Sequence, residues 1–251
     1  MPSGSIIVEA CVDSADAAIA AERAGAGRVE LCGDLVEGGT TPSAGAIAVA
    51  RERLAIPIFV MVRPRGGDFL YSPAERETMM RDIAIARGLG AHGIVLGALA
   101  ADGTVDIDAT RAFVEAVRPL PVTFHRAFDL TRDLAGSLDA LVDCGVARVL
   151  TSGGARRAAD GIEMLGELAD RAGDRLVVMA GGGIDARAAA EILARTAVRE
   201  LHVGGSRLVE SAMVFRRSDI SFARALLPDE YTLAVSDEAR LGAVIEVVHG
   251  E

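Results

Sequence analysis

Eight short apolar runs recur along the chain, at residues 6–12, 28–32, 56–63, 93–99, 122–128, 148–151, 176–180 and 200–203. They are rich in Val, Ile, Leu and Phe and lack polar alternation over their length, as strands covered on both faces do. The segments between them have helical spacing and recognisable starts. Ser72-Pro73-Ala74-Glu75 predicts a capping box with Pro at the first helical position, opening a helix to about Leu89. Ser43 follows Pro42 and opens another, ending near Leu54, and Asp106 and Asp185 are N-cap candidates for two more. Three segments repeat one pattern: Gly25-Ala26-Gly27-Arg28-Val29, Gly90-Ala91-His92-Gly93-Ile94 and Gly145-Val146-Ala147-Arg148-Val149. Each has a helix-ending glycine, a short loop and an apolar strand. Thr196-Ala197-Val198-Arg199-Glu200-Leu201 is a weaker fourth copy. Alternation of strand and helix eight times over predicts an α/β chain folded as one (β/α)8 TIM barrel across residues 1–251. A doubly wound sheet is the alternative, but Cys11-Val12-Asp13-Ser14 stands where its glycine-rich nucleotide turn would follow the first strand.

In such a barrel the functional site lies at the C-terminal strand ends. Two segments there match: Val8-Glu9-Ala10-Cys11 and Val29-Glu30-Leu31-Cys32. Side chains alternate along a strand, so Glu9 shares a face with Cys11, Glu30 with Cys32, Met61 with Arg63, and Thr123 with His125. A buried carboxylate is costly without a partner, so an acid at the same place in two neighbouring strands suggests a built polar site. Cys11 and Cys32 are read either as small buried apolar residues or as a two-thiolate metal site, which would favour Cu(I) over hard ions. Cys144, at a helix end, reads as structural.

Glu9, Glu30, Arg63 and Arg126 could form an ion network, with the two arginines neutralising the two acids inside the barrel. They could equally line a substrate site in which Glu9, Glu30 or His125 handles a proton, Arg63 and Arg126 clamp an anion, and Asp129 stands beside them. His202 reads as structural, because the eighth strand can point it either way. Glycine-rich turns supply an anion site on paper. Arg65, Ser152-Gly153-Gly154, Gly181-Gly182-Gly183 and Gly204-Gly205-Ser206 together suggest a phosphate cradle. Asp185 at the next helix start opposes an anion, and glycines also serve tight turns.

Composition narrows the chemistry. With 251 residues, 51% of them hydrophobic, the chain can bury a large core, and no Pro/Ser-rich linker divides it. The net charge of −10 argues against nucleic acid or an anionic membrane as main partner. No apolar run approaches membrane-spanning length, and Met1-Pro2-Ser3-Gly4 does not open a signal peptide. Three cysteines without framework spacing read as reduced thiols of a cytoplasmic protein. The chain contains no lysine, so neither a Schiff-base nucleophile nor a pyridoxal-phosphate lysine is available, whatever genomic bias removed it.

The chain resembles the CutC copper homeostasis family. The resemblance rests on Glu9-Ala10-Cys11-Val12-Asp13-Ser14, Arg28-Val29-Glu30-Leu31-Cys32 and Glu37-Gly38-Gly39-Thr40-Thr41-Pro42-Ser43. It continues through Val62-Arg63-Pro64-Arg65-Gly66-Gly67-Asp68-Phe69, Thr123-Phe124-His125-Arg126-Ala127-Phe128-Asp129 and Leu150-Thr151-Ser152-Gly153-Gly154. These run in the family's order across most of residues 6–206, whereas residues 208–235 are only loosely family-like. The resemblance implies a TIM barrel, a cytoplasmic location, a role in copper handling with Cys11 and Cys32 as Cu(I) ligands, and it hints at a homodimer. Exposed apolar residues in 208–235 are where an interface is expected. Two readings stay open: a Cu(I)-binding protein, or a lyase- or isomerase-type enzyme for a small anionic or phosphorylated metabolite.

Overall fold

The structure is a computed structural model that describes residues 6–217, 219–220 and 229–250. Eight parallel strands close into a barrel in chain order: β1 (Ile7–Val12), β2 (Arg28–Leu31), β3 (Ile58–Met61), β4 (Gly93–Leu96), β5 (Val122–Phe124), β6 (Arg148–Thr151), β7 (Val177–Gly181) and β8 (Glu200–Val203). Seven helices connect them: α1 (Ala15–Arg23), α2 (Ala44–Arg53), α3 (Pro73–Gly88), α4 (Ile107–Val117), α5 (Leu134–Asp143), α6 (Ile162–Ala172) and α7 (Ala186–Arg195). After β8 an antiparallel ribbon intervenes, β9 (Ser206–Glu210) with β10 (Thr232–Ser236), before α8 (Glu238–His249) returns to the barrel wall. The (β/α)8 barrel expected from the alternation is therefore the fold observed.

The local signals act as their chemistry requires. Ser72 and Glu75 form the reciprocal capping box of α3, and Ser43, Asp106 and Asp185 cap α2, α4 and α7 through their side chains. The repeated glycines Gly25, Gly90 and Gly145 all adopt positive φ, which lets the chain turn sharply from helix to strand. Strand five stops sooner than its apolar run suggests. The His125 ring accepts the Ala127 N–H and caps a short 3-10 turn over Arg126–Leu130, which takes the chain out of the sheet.

Two apolar regions divide the molecule. Outward-facing strand residues such as Val8, Leu31, Ile94 and Leu201 pack under the helices in the main core. A small second cluster inside the barrel contains Phe59, Met61, Val95 and Cys32. The strand registers stack inward side chains in layers drawn from alternate strands. Arg28, Gly93, Arg148 and Glu200 make the lowest layer, and Glu9, Phe59, Thr123 and Met179 the next. Glu30, Val95, Leu150 and His202 follow, with Cys11 and Met61 above them. Gly93 is needed because the Phe59 ring fills its inner side; a Cβ there would sit 2.6 Å from the ring. Gly93→Ala should cost about 1–3 kcal/mol by overpacking, seen as a lower urea midpoint; an unchanged midpoint would show that the ring can yield.

On the outside, Leu208, Met213, Val214, Phe215 and Leu233 of the ribbon region are exposed. Among the described residues no helix is long and apolar enough to cross a membrane.

Candidate metal centre

The barrel interior holds a charged stack that rises to the two thiols. At its base Arg28 pairs with Glu9 through Nε and with Glu200 through Nη2 at 2.6 Å. Arg148 grips Glu200 with two nitrogens, at 2.5 and 3.0 Å. Both guanidinium groups flank the Phe59 ring, 4.8 and 5.3 Å from its centroid, so cation–π attraction adds to the ion pairs. A buried ion network is thus present, but it joins Arg28 and Arg148 to Glu9 and Glu200, not the expected Arg63 and Arg126 to Glu9 and Glu30. Arg63 and Arg126 do not neutralise Glu9 or Glu30, because they leave the barrel axis at the mouth, whereas Arg28 enters it one pleat below Glu30.

Above this base, His202 Nδ1 lies 2.8 Å from Glu9 Oε1, and its Nε2 lies 3.8 Å from Glu30 Oε2. Strand eight therefore points His202 into the site, contrary to the structural reading of its sequence position. Cys11 Sγ and Cys32 Sγ lie 3.2 and 3.5 Å from the same Glu30 oxygen. The other oxygen, Glu30 Oε1, is buried without a hydrogen-bond partner among the described residues. Cys11 is half-buried and Cys32 is sealed in beside Met61.

The electrostatics follow from this stacking. Burial alone would raise the Glu9 carboxyl, but Arg28 and then His202 outweigh it and hold it at about 2. Among the described residues no arginine pairs with Glu30; burial and then the charge at Cys11 push it well above the usual carboxylate range, against His202. Burial works against a charged His202, yet Glu30, Cys11 and Glu9 together raise its pKa well above the ordinary value. The hydrogen bond between the thiols splits them. It draws Cys11 well below the normal thiol range against the effect of burial, and pushes Cys32 well above it.

Among the described residues, two sets of side chains could hold a metal: Cys11, Glu30 and Cys32, and Glu9, Glu30 and His202, each with its ligand atoms within 4.8 Å of one another. A thiol pair beside a carboxylate can bind a soft or borderline cation. Cys144 sits apart at the end of α5, its Sγ 4.0 Å from the Ile107 carbonyl.

The remaining candidate residues are brought to the mouth but engaged with the chain itself. Arg63 donates to the carbonyls of Glu37, Gly39 and Gly67 at 2.8–2.9 Å, tying the loops after β2 and β3 together. Arg65 pairs with Glu75 at 2.5 Å and Asp68 at 3.0 Å. Arg126 pairs with Asp129 at 2.7 Å and reaches Ser152 at 2.8 Å. The amides of Ser152 and Gly154 both donate to Asp129 at 3.1 Å, so a side-chain carboxylate of the protein already occupies that glycine turn. Gly181 packs against Leu150 and His202, Gly182 lies under Arg126, Gly183 under Arg157 and Gly205 under Arg240, while Gly204 adjoins Cys11. Asp185 satisfies the α7 N-terminus. Ser206 opens β9, and its side chain lies outside the described residues. His125 stacks on Phe69 at 4.8 Å, and burial, then Arg63, hold its pKa at about 3.

Sequence reasoning missed Arg28, Arg148 and Glu200. The signal was available: the two-residue step that joins Glu30 to Cys32 runs back to Arg28, and His202 runs back to Glu200.

Comparison with known proteins agrees with this architecture. A phosphoribosylanthranilate isomerase from Thermotoga maritima shares the barrel at 11% identity, over 98% of this chain and all of its own, with a TM-score of 0.58; that likeness concerns fold alone. A CutC structure from Streptococcus agalactiae is 35% identical over 78% of this chain and 97% of its own, with a TM-score of 0.74. A mouse protein named copper homeostasis protein cutC homolog is 46% identical, covering 94% of this chain and 86% of its own. The human protein of that name is 44% identical over 96% and 90%. The family profile for CutC matches residues 6–207, which hold all eight barrel strands and both thiols, and on these grounds the chain belongs to the CutC family.

Proposed function

We propose that this protein serves copper homeostasis in the cytoplasm by binding Cu(I) between Cys11 and Cys32. The observation that carries the reading is the convergence of both sulfurs on one carboxylate oxygen, with all three ligand atoms within 4.8 Å of one another. Thiolates favour Cu(I) over hard cations, and the depressed pKa of Cys11 supplies one thiolate readily. Met61, a soft thioether, packs beside Cys32. The relatives' names point the same way, and three free thiols suit a reducing compartment.

The enzyme reading draws no comparable support. Its arginines are engaged by carboxylates and carbonyls of the chain, and a His125 held at about 3 takes no proton near neutral pH.

The test is an anaerobic Cu(I) titration against a chromophoric competitor. The intact protein should retain one Cu(I), and the Cys11→Ser/Cys32→Ser variant should lose it while keeping its circular dichroism. Equal retention by a folded double variant would end the proposal.

A further inference from the structure

The donor set around the thiols exceeds what Cu(I) requires. Two thiolates suffice for that ion, yet a Glu30 oxygen lies with both sulfurs inside the same 4.8 Å cluster. Glu30 is 2% exposed, and its Oε1 has no partner among the described residues. Such an orphaned carboxylate oxygen is costly unless a proton or cation meets it. Arg28 cannot do so, since it is committed to Glu9 and Glu200 below.

His202 supplies a second, independent observation. Glu9 holds its Nδ1 at 2.8 Å, and Arg28 holds the other Glu9 oxygen. The ring is therefore fixed with Nε2 turned towards Glu30. A carboxylate behind an imidazole is how metal-binding histidines are oriented in general. Glu9 has the place of that orienting group, so Nε2 is the nitrogen a metal would meet, giving up its proton on binding.

We infer that Cys11, Cys32 and Glu30 form a binding site for a divalent cation of borderline softness, of the Zn(II) class, with the Glu9-oriented His202 as the nitrogen ligand on its fourth side. Two sulfurs, one carboxylate oxygen and one imidazole nitrogen are the donors that such an ion takes in four-coordinate sites. Tetrahedral ligands at about 2.0–2.3 Å from a metal stand about 3.3–3.8 Å apart. Closing the cluster of Cys11, Cys32 and Glu30 thus takes side-chain movements of about an ångström, which the half-buried Cys11 can make. The inference shares its sulfurs with the copper reading but does not depend on it.

The experiment is an anaerobic titration of the reduced, full-length protein with Co(II), which reports tetrahedral thiolate coordination by its visible bands and sulfur-to-metal charge-transfer absorption. One equivalent should give that spectrum, and Zn(II) should displace it. Glu30→Gln and, separately, His202→Phe should weaken Co(II) binding about 10–100-fold. If the intact protein shows no charge-transfer band, or Glu30→Gln binds Co(II) as tightly as the parent, the inference is overturned. The intact protein's own spectrum needs no variant, so a misfolded substitution cannot hide the answer. Cu(I) retention without a Co(II) spectrum removes the divalent site and leaves the copper reading standing. A Co(II) spectrum without Cu(I) retention does the reverse.

Discussion

Arg28→Met should lower the unfolding free energy by about 3–5 kcal/mol, the usual cost of removing one member of a buried ion pair. Arg28 neutralises Glu9 and one side of Glu200, donates to the Met179 sulfur at 3.3 Å and stacks on Phe59. Its side chain is 5% exposed, so water cannot replace what it supplies. Methionine keeps much of the volume and leaves two buried carboxylates without that partner. At about 2–4 °C per kcal/mol for a chain of this size, the melting temperature should fall by roughly 10 °C. Arg81→Ala is the control. It breaks a 2.6 Å pair with Glu77 on the exposed face of α3, where such pairs contribute about 0–1 kcal/mol. Equal urea midpoints for the two variants would refute the energetic weight given to the barrel network.

Acid should destabilise the protein through His125, and His125→Gln should remove that part of the pH dependence. The sign follows from the depressed pKa. The folded-state ring stays neutral down to about 3, because burial and then Arg63 oppose its charge, while in the unfolded chain it titrates near 6.5. Below 6.5 the unfolded state binds a proton that the folded state refuses. Stability from this group is therefore present above 6.5 and lost steadily as pH falls towards 3, by about 1.4 kcal/mol per pH unit. Between pH 7 and pH 5 the parent should lose about 2 kcal/mol more than His125→Gln. The comparison is made as a difference because Glu30, Cys11 and His202 also exchange protons on folding. Parallel stability curves for the two proteins would show that the ring is protonated in place.

Much of the architecture can be read from the chain because local physics dictates it. Ser43, Ser72, Asp106 and Asp185 cap helices for the reason they are recognisable: their oxygens meet amide groups that no helix can satisfy internally. Strand five shows the limit of the same reasoning. Residues 122–128 read as one strand-like run, but the turn at His125 depends on that ring meeting the Ala127 amide in a place shaped by Phe69 and Gly97.

What the sequence alone determined is the alternating order of strands and helices, the glycine-ended helices and the sharing of a face by Glu9 with Cys11 and by Glu30 with Cys32. These follow from periodicity and from backbone preferences within a few residues. What only the tertiary structure decided is which charges meet. Arg63 and Arg126 stand beside the motif residues in sequence but satisfy loop carbonyls and Asp129, whereas Arg28, Arg148 and Glu200 converge from strands two, six and eight. The stagger of a closed barrel sets that partnership, by lifting each strand's inward residues to the level of residues far away in the chain. His202 joins Glu9 across 193 positions for the same reason: β8 must close on β1, and parity then turns its ring inward.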